Sequence, residues 1–218
     1  MFHLSPAAAT IAAVPKPKQR TPELGEQVLA AALRLVARDG VAALTARRLA
    51  AEAGTSPPAV YELFGDKAGV VRAIFFAGFE QLAAALSQLA PGDDPLADLL
   101  AHAQRYRGYI LERPALAAVM FSRPFASFDP APEEAAAGAA VRERIVAAVR
   151  RAIAAGRLQG DPTDVAHACV ALVHGLAAAE SARRLGGSAA AVERRWDVAM
   201  RALLRGFAPS ASPTSASL

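Results

Sequence analysis

The sequence predicts an all-α protein built from nine helices. Alanine and leucine dominate a composition that is 54% hydrophobic and only 6% aromatic, which favours helix over strand. Apolar residues also recur at the three- and four-residue spacing of one helix face. Together with the Gly and Pro breaks, these patterns predict helices at about 22–39, 45–53, 56–64, 66–90, 95–112, 114–121, 132–157, 161–185 and 188–207.

Several of these helices start with the same local pattern, a capping side chain followed by proline. Proline suits the first helical position because its missing N–H has no partner to lose there. The pattern occurs at Thr21-Pro22, Asp94-Pro95 and Asp161-Pro162. Another start is indicated after Pro132, where Glu133 and Glu134 lie at the end of the helix dipole that favours negative charge.

The segment 44–67, LTARRLAAEAGTSPPAVYELFGDK, has the pattern of a helix-turn-helix. Thr45 and Ser56 are the expected N-caps of its two helices, and Gly54 lies in the tight turn between them. The apolar stripe of the preceding helix needs both helices as cover. In a DNA-binding unit of this kind the second helix enters the major groove, while caps and basic side chains hold phosphates.

Basic and hydroxyl side chains surround this motif. Thr45 offers a hydroxyl and helix N-terminal N–H groups, and Arg47 and Arg48 follow within one turn. Tyr61 and Lys67 offer two further phosphate contacts. Such units also occur as packing motifs, and the arginines also fit an ordinary solvated face. The number of coincident positions favours DNA binding.

The same segment strongly resembles the DNA-binding domain of the TetR family of transcriptional regulators. The pattern LTxRxLAxxAGxSPPxVYxxF and a lysine opening the fourth helix coincide in register over residues 22–72. The resemblance implies a TetR-like architecture, an N-terminal three-helix domain followed by a helical ligand-binding and dimerisation domain. It also implies phosphate contacts at the caps, tyrosine and lysine, and groove contacts at the start of the second helix. The predicted DNA-binding residues are Thr45, Arg47, Arg48, Thr55, Ser56, Pro57, Pro58, Ala59, Tyr61 and Lys67.

Two positions depart from the family's pattern. Glu62 and Leu63 stand where the family commonly carries polar, aromatic or histidine residues that help to hold the DNA backbone. A carboxylate repels phosphate, but it can also accept a hydrogen bond from a cytosine amino group. The sequence leaves open an altered base preference and a weakened contact.

The predicted chain has four parts. Residues 1–21 contain three Lys or Arg and no acidic residue, and we expect a disordered basic extension. The DNA-binding domain covers 22–68, and the ligand-binding and dimerisation domain covers 69–207. Residues 208–218 are rich in Ser, Ala and Pro, and we expect a disordered tail.

A second, shorter resemblance lies in the C-terminal part. The strings RYRGYILERPALAAVMF and ACVALVHGLAAAE resemble the TetR subgroup with a C-terminal Trp-His-Gly motif. His174 and Gly175 match this motif, although its tryptophan position is not clearly filled. A glycine inside a helix costs about 1 kcal/mol relative to alanine, so Gly175 predicts a close helix crossing.

Aromatic and histidine side chains of this domain are candidates for a small-molecule pocket. Such sites combine apolar walls with a few polar groups. The predicted pocket residues are His102, Tyr106, Tyr109, Met120, Phe121, Phe125, Phe128 and His174. Aromatic residues at helical spacing also fit an ordinary core, and nearby arginines such as Arg107 fit ion pairs within their own helix. The expected effector is an apolar or aromatic small molecule.

The last two helices suit an interface between two copies of the chain, because they combine apolar stripes with many small residues. The predicted homodimer interface consists of Val165, Leu172, Leu176, Ala179, Val192, Trp196, Ala199 and Leu203. A dimer also brings two recognition helices to successive major grooves about 34–36 Å apart. For Trp196 an interface anchor and a core position both stay open.

Other functional classes find little support in the sequence. The net charge of +4 permits a DNA partner without requiring one, and the single Cys169 excludes a disulfide or multi-cysteine metal site within the chain. We recognise no catalytic nucleophile setting, phosphate loop or HExxH motif, so we expect neither an enzyme nor a cofactor. The uncharged stretch 165–179 is too short to span a bilayer, and we expect a cytoplasmic protein. The remaining alternative is a helical scaffold that no longer binds DNA.

Overall fold

The computed structural model describes residues 21–121, 132, 136 and 138–209. All regular secondary structure in these residues is helical, which confirms the predicted all-α fold. A short 3-10 turn at Val41–Ala43 follows the first helix. The nine helices of these residues are α1 Pro22–Asp39, α2 Ala46–Glu52, α3 Pro57–Phe64, α4 Lys67–Ser87, α5 Pro95–Glu112, α6 Pro114–Phe121, α7 Ala139–Ala154, α8 Pro162–Ser181 and α9 Ala189–Gly206.

Most helices start where the capping pattern predicts. The side chains of Thr21, Asp94 and Asp161 each accept a hydrogen bond from a backbone N–H of the first turn, and each precedes a proline. Thr45 and Asp66 cap α2 and α4 in the same way. The predicted starts of α1, α5 and α8 are therefore confirmed.

Three helices end earlier than predicted. α4, α7 and α8 end at Ser87, Ala154 and Ser181, three or four residues before the predicted positions. After α7 and α8 the backbone turns left-handed at Gly156, with φ 67°, and at Arg183, with φ 56°. An α-helix cannot continue through this conformation.

Part of the prediction lies outside the described residues. α7 starts at Ala139 after a turn at Gly138, and only two of the six preceding residues of the predicted helix are described. The predicted basic extension and tail also lie outside the described part of the chain, apart from one residue of the former and two of the latter.

α1, α2 and α3 form an N-terminal unit whose core includes Val28, Leu49 and Val60. The long helix α4 packs against α1 and α3 of this unit and also against α5, α6 and α7. By length and by a mean hydropathy of 1.4, α4 alone among the helices in the described residues could cross a membrane. Its Ile74 and Leu82 are fully buried in the protein, as in a core helix. α4 therefore connects the N-terminal unit to the remaining helices.

Candidate DNA interface and effector pocket

The N-terminal unit forms a capped helix-turn-helix. The Thr45 hydroxyl accepts a hydrogen bond of 3.3 Å from the Arg48 N–H at the start of α2. In the turn, Gly54 has a φ of 63°, and the Thr55 N–H donates to the Ala50 carbonyl at 2.8 Å. Ser56 occupies the N-cap position of α3, but its hydroxyl makes no capping bond within the described chain. The sequence therefore located both helices, while the expected bond at Ser56 is not formed.

Three of the predicted phosphate-binding residues lie around one cleft where α2, α3 and α4 meet. The cleft has a volume of about 260 Å³, and Thr45, Tyr61 and Lys67 line it. All three are exposed, and Tyr61 is 55% exposed although it is a large aromatic residue. The cleft thus presents two hydroxyl groups and an ammonium group, all of which can donate to a phosphate oxygen.

The residues of the first turn of α3 differ in exposure. Pro57 and Pro58 are exposed, but Ala59 is only 5% exposed and lies in the core of the N-terminal unit. Ala59 therefore has little surface to offer to the DNA groove, and its predicted contact stays a prediction. Glu62 is exposed on α3, whereas Leu63 is half-buried against the core.

The arginines of α2 differ in their surroundings. Arg47 and Arg48 are both exposed, but the Arg48 guanidinium forms an ion pair with Asp39 at the end of α1. Glu52 pairs in turn with Arg34 at 3.3 Å and with Arg38 at 3.4 Å. Carboxylates of α1 and α2 therefore neutralise part of the basic charge that the sequence places near the motif.

In the C-terminal helices an aromatic cluster gathers three of the predicted pocket residues, Tyr106, Phe121 and His174, together with Phe79. Tyr106 Oη lies 2.8 Å from His174 Nε2. The Phe121 ring lies 4.2 Å from the His174 ring and 5.5 Å from the Phe79 ring, measured between centroids. We call these four residues the aromatic cluster; its Phe79, on the apolar helix α4, is not among the predicted pocket residues.

Burial favours the uncharged form of three titratable groups in this region. It raises the pKa of the Tyr106 hydroxyl and lowers the pKa of the His174 imidazole. It also raises the pKa of the nearby Cys169 thiol to about 11. All three shifts favour the neutral form, as desolvation does for any ionisable group.

A small cavity of about 20 Å³ adjoins the cluster, lined by Tyr106 and His102 together with apolar residues. His102 Nδ1 lies 2.8 Å from the Asp98 carbonyl of its own helix. Small-molecule pockets usually have volumes of about 300–1,000 Å³, so a ligand has to displace side chains here.

Two further predicted pocket residues, Tyr109 and Met120, lie outside the cluster. The Tyr109 hydroxyl donates to the Gly78 carbonyl at 2.8 Å and lies 3.9 Å from Met120 Sδ. A Cβ at position 78 would lie 2.6 Å from that sulfur, so these residues join α4, α5 and α6 closely. Phe125 and Phe128 lie outside the described residues.

Trp196 and Arg107 form a buried polar group that the sequence did not predict. Arg107 donates two hydrogen bonds of 2.8 Å to Glu180 and one of 2.6 Å to Glu193. The Trp196 indole donates to Glu180 at 2.7 Å and lies under the Arg107 guanidinium. The pKa of Glu180 is lowered mainly by its bond with Arg107. The expectation that Arg107 pairs within its own helix is wrong, since its carboxylate partners lie on α8 and α9.

Two of the predicted dimer contacts are core residues. Val165 and Trp196 are fully buried within one protomer, so their assignment to an interface between copies is wrong. Each faces neighbouring helices of its own chain, which is the alternative that the sequence left open for the tryptophan. The other six predicted contacts are half-buried on α8 and α9, namely Leu172, Leu176, Ala179, Val192, Ala199 and Leu203.

A capped helix-turn-helix on an all-helical body defines a class of DNA-binding regulators. A model of the bacterial regulatory proteins of the tetR family matches residues 28–74, and a model of the tetracyclin repressor-like C-terminal domain matches residues 99–203. Together they cover more than half of the chain, which belongs to the TetR family of transcriptional regulators. A comparison with curated protein sequences gives no significant match.

Solved structures share this fold along most of the chain. A protein of unknown function from Rhodococcus sp. RHA1 is 29% identical, with a TM-score of 0.76 over 89% of this chain and 100% of its own. SmeT in complex with triclosan is 24% identical, with a TM-score of 0.63 over 90% and 98%. A TetR variant from Acinetobacter baumannii AYE in complex with minocycline is 22% identical, with a TM-score of 0.58 over 83% and 93%.

Proposed function

We propose that this chain is a ligand-released transcriptional repressor that binds a palindromic operator as a homodimer. The observation that carries the proposal is the cleft where Thr45, Tyr61 and Lys67 meet beside the exposed start of α3. Such groups hold DNA phosphates while a recognition helix reads the major groove. Pro57 and Pro58 then lie nearest to the base edges.

The proposed dimer forms through α8 and α9. Gly175 on α8 is exposed, and no described atom lies within 4 Å of a Cβ placed there, apart from its own helix backbone and chain neighbours. Ala171 and Ala178, about one turn to either side, are also exposed, and Val198 on α9 is 57% exposed. Small residues let a second helix approach closely. We therefore assign the helix crossing expected at Gly175 to a contact between two copies.

The effector site of the proposal is the aromatic cluster. SmeT and the Acinetobacter protein were solved with triclosan and minocycline, which supports an apolar or aromatic effector for this chain. Phe121 ends α6 in the cluster, while Leu116 of the same helix lines a cleft of about 290 Å³ with Leu33 of α1. Displacement of Phe121 can therefore shift α6 against the DNA-binding unit. Effector binding then favours a dimer whose recognition helices no longer match the groove spacing.

Further predictions from the sequence support the same role. His174 and Gly175 are consistent with the Trp-His-Gly subgroup, and the four-part domain division follows the family pattern. We expect a cytoplasmic regulator that contacts no membrane, has no catalytic activity and needs no cofactor.

A second candidate is a helical scaffold that has lost specific DNA binding. It is favoured by Glu62, which is exposed on α3, and by Asp39, which neutralises Arg48. Both carboxylates oppose a phosphate backbone. The two candidates differ in whether the protein selects particular DNA fragments.

Selection from sheared genomic DNA of the source organism tests the proposal. Bound fragments are recovered at about 150 mM salt and sequenced. We expect enrichment of a short palindrome, and the loss of that enrichment in Lys67→Ala. The selection is repeated with protein that has been freed of small molecules by unfolding and refolding. If this protein recovers only non-specific fragments, the result contradicts the repressor and supports the scaffold.

A further inference from the structure

We infer that the effector is an uncharged aromatic molecule whose hydroxyl group inserts between Tyr106 and His174. This inference rests on the proposed effector site and adds the chemical class of its ligand. Three features of the site carry it: the lack of a counter-charge among its described residues, the hydrogen bond between the two side chains, and the flat rings around them.

The described part of the site offers no counter-charge to an ionised ligand. Among the described residues of the aromatic cluster and the adjoining cavity, none is Asp, Glu, Lys or Arg. Of the two arginines next to Tyr106 in sequence, Arg107 already pairs with Glu180 and Glu193, and Arg105 is exposed and lines a different cleft. A carboxylate or ammonium ligand would lose its hydration here without gaining a partner, which strongly disfavours binding. The ligand is therefore neutral.

The hydrogen bond between Tyr106 and His174 selects a hydroxyl group. A ligand that separates the two side chains has to satisfy both, because a buried polar group without a partner is costly. A hydroxyl both donates and accepts, so it fits whichever nitrogen of His174 carries the proton. An ether or carbonyl oxygen only accepts and fits one tautomer, and a hydrocarbon fits neither.

The surroundings select an aromatic ring. The Phe121 ring lies 4.2 Å from the His174 ring and is stacked at 27° to the Tyr106 ring. Phe121 and Phe79 are half-buried, whereas Tyr106 is only 3% exposed, so a ligand displaces the two phenylalanines more easily. A planar ring replaces their contacts, since aromatic pairs are favourable in stacked and edge-to-face geometries.

Four probes of one shape test the ligand class by calorimetry with the full chain: naphthalene, β-naphthol, β-naphthyl methyl ether and β-naphthoate. At about pH 7.5 we expect β-naphthol to bind about tenfold more tightly than naphthalene, the ether to lie between the two because it fits one tautomer, and β-naphthoate to bind most weakly. In the double variant Tyr106→Phe with His174→Phe, which removes both polar partners, the preference for the hydroxyl should disappear while naphthalene still binds. Tyr109→Phe is the matched control, because its hydroxyl bonds to Gly78 and not to His174.

Several outcomes overturn the inference. These are equal affinities for β-naphthol and naphthalene, tightest binding of β-naphthoate, a hydroxyl preference that survives in the double variant, or no binding of any probe. Circular dichroism of each variant confirms that it is folded. Specific DNA binding without a hydroxyl preference overturns this inference alone, whereas the preference without DNA binding overturns only the proposed repressor.

Discussion

Gly69 and Phe64 determine how closely the recognition helix α3 approaches α4. A Cβ at position 69 would lie 1.7 Å from the Phe64 carbonyl oxygen and 2.9 Å from its carbonyl carbon. The Gly69 N–H also donates to the Asp66 carboxylate at 2.8 Å, which caps α4. Because the crowded atoms belong to the backbone, no side-chain rotation can relieve the contact. The close junction of α3 and α4 therefore requires glycine at position 69.

Gly69→Ala should lower the free energy of unfolding by about 2 kcal/mol or more, since the backbone has to move to admit the methyl group. DNA affinity should fall as well, because the cleft at the start of α4 is distorted. Urea unfolding followed by circular dichroism checks the first effect. Gly25→Ala in α1 is the control: no described atom outside its own helix backbone lies within 4 Å, and alanine should stabilise by about 0.5–1 kcal/mol. Equal stability of the two variants would contradict the close approach.

Lys67 and Tyr61 should act differently on the salt dependence of DNA binding. Lys67→Ala removes a phosphate-neutralising charge. The slope of log K against log salt is negative, and its magnitude should therefore decrease by about 0.9. Tyr61→Phe removes a hydroxyl without a charge and should weaken binding at an unchanged slope. Fluorescence anisotropy over a salt series measures both. Arg157→Ala, which removes a charge paired with Asp94 outside the N-terminal unit, should leave the slope unchanged. An unchanged slope in Lys67→Ala would exclude a phosphate contact there.

The sequence predicted what neighbouring residues determine. A cap followed by proline acts within one turn, so Asp94 and Asp161 marked the starts of α5 and α8 correctly. Gly54 in the turn followed from the same local logic. Contacts between residues far apart in the sequence could not be predicted in this way. Arg107 and Glu180 are 73 positions apart, and neither local pattern shows that they meet.

The sequence also could not show which side of a helix faces the core. Ala59 is small enough for either side of α3, so its burial depends on how α3 packs in three dimensions. Trp196 suits an interface and a core equally well by composition. The close contacts at Gly69 and Gly78 could have been predicted from the sequence. A glycine inside a long helix lowers the stability of that helix, so its presence indicates that another group occupies the space of a side chain.

Arg107 and Glu180 should be strongly coupled. Arg107→Met leaves the mostly buried Glu180 carboxylate with its bond to Trp196 but without its counter-charge. This change should lower the free energy of unfolding by about 3–5 kcal/mol. Adding Glu180→Leu should recover part of this loss, which a double-mutant cycle in urea measures. Arg113→Met breaks an exposed pair with Glu112 and should cost at most about 1 kcal/mol. A strictly additive double variant would show that the pair is not coupled.

His174 should make the protein less stable in mild acid. Burial lowers the pKa of its imidazole below the ordinary 6.5, so the unfolded chain binds a proton more readily than the folded one. Its contribution to stability is therefore complete above pH 6.5 and is lost as the pH falls through the folded pKa. His174→Gln should show a smaller drop in urea midpoint between about pH 7.5 and 5.5. His167→Gln, exposed on the same helix, should behave like the wild type, and identical drops in all three proteins would contradict the assignment.

Two substitutions at Gly175 distinguish the stability of the protomer from the stability of the proposed dimer. Within one protomer the position is open, so Gly175→Ala should stabilise α8 by about 0.5–1 kcal/mol through helix propensity. At a close crossing between two copies, Gly175→Leu should raise the dimer dissociation constant at least about tenfold, since overpacking typically costs 1–3 kcal/mol.

Sedimentation velocity over a concentration series measures the dissociation constant, and Gly108→Ala on α5 is the control. Its Cβ would meet only the Glu112 side chain at 3.9 Å among the described atoms outside its own helix backbone, so the dimer should be unaffected. If Gly175→Leu dimerises like the wild type, the crossing lies elsewhere and α8 meets its partner at another face. If the dimer weakens, operator affinity should fall with it even though the helix-turn-helix is unchanged, because two linked recognition helices are needed to read successive grooves.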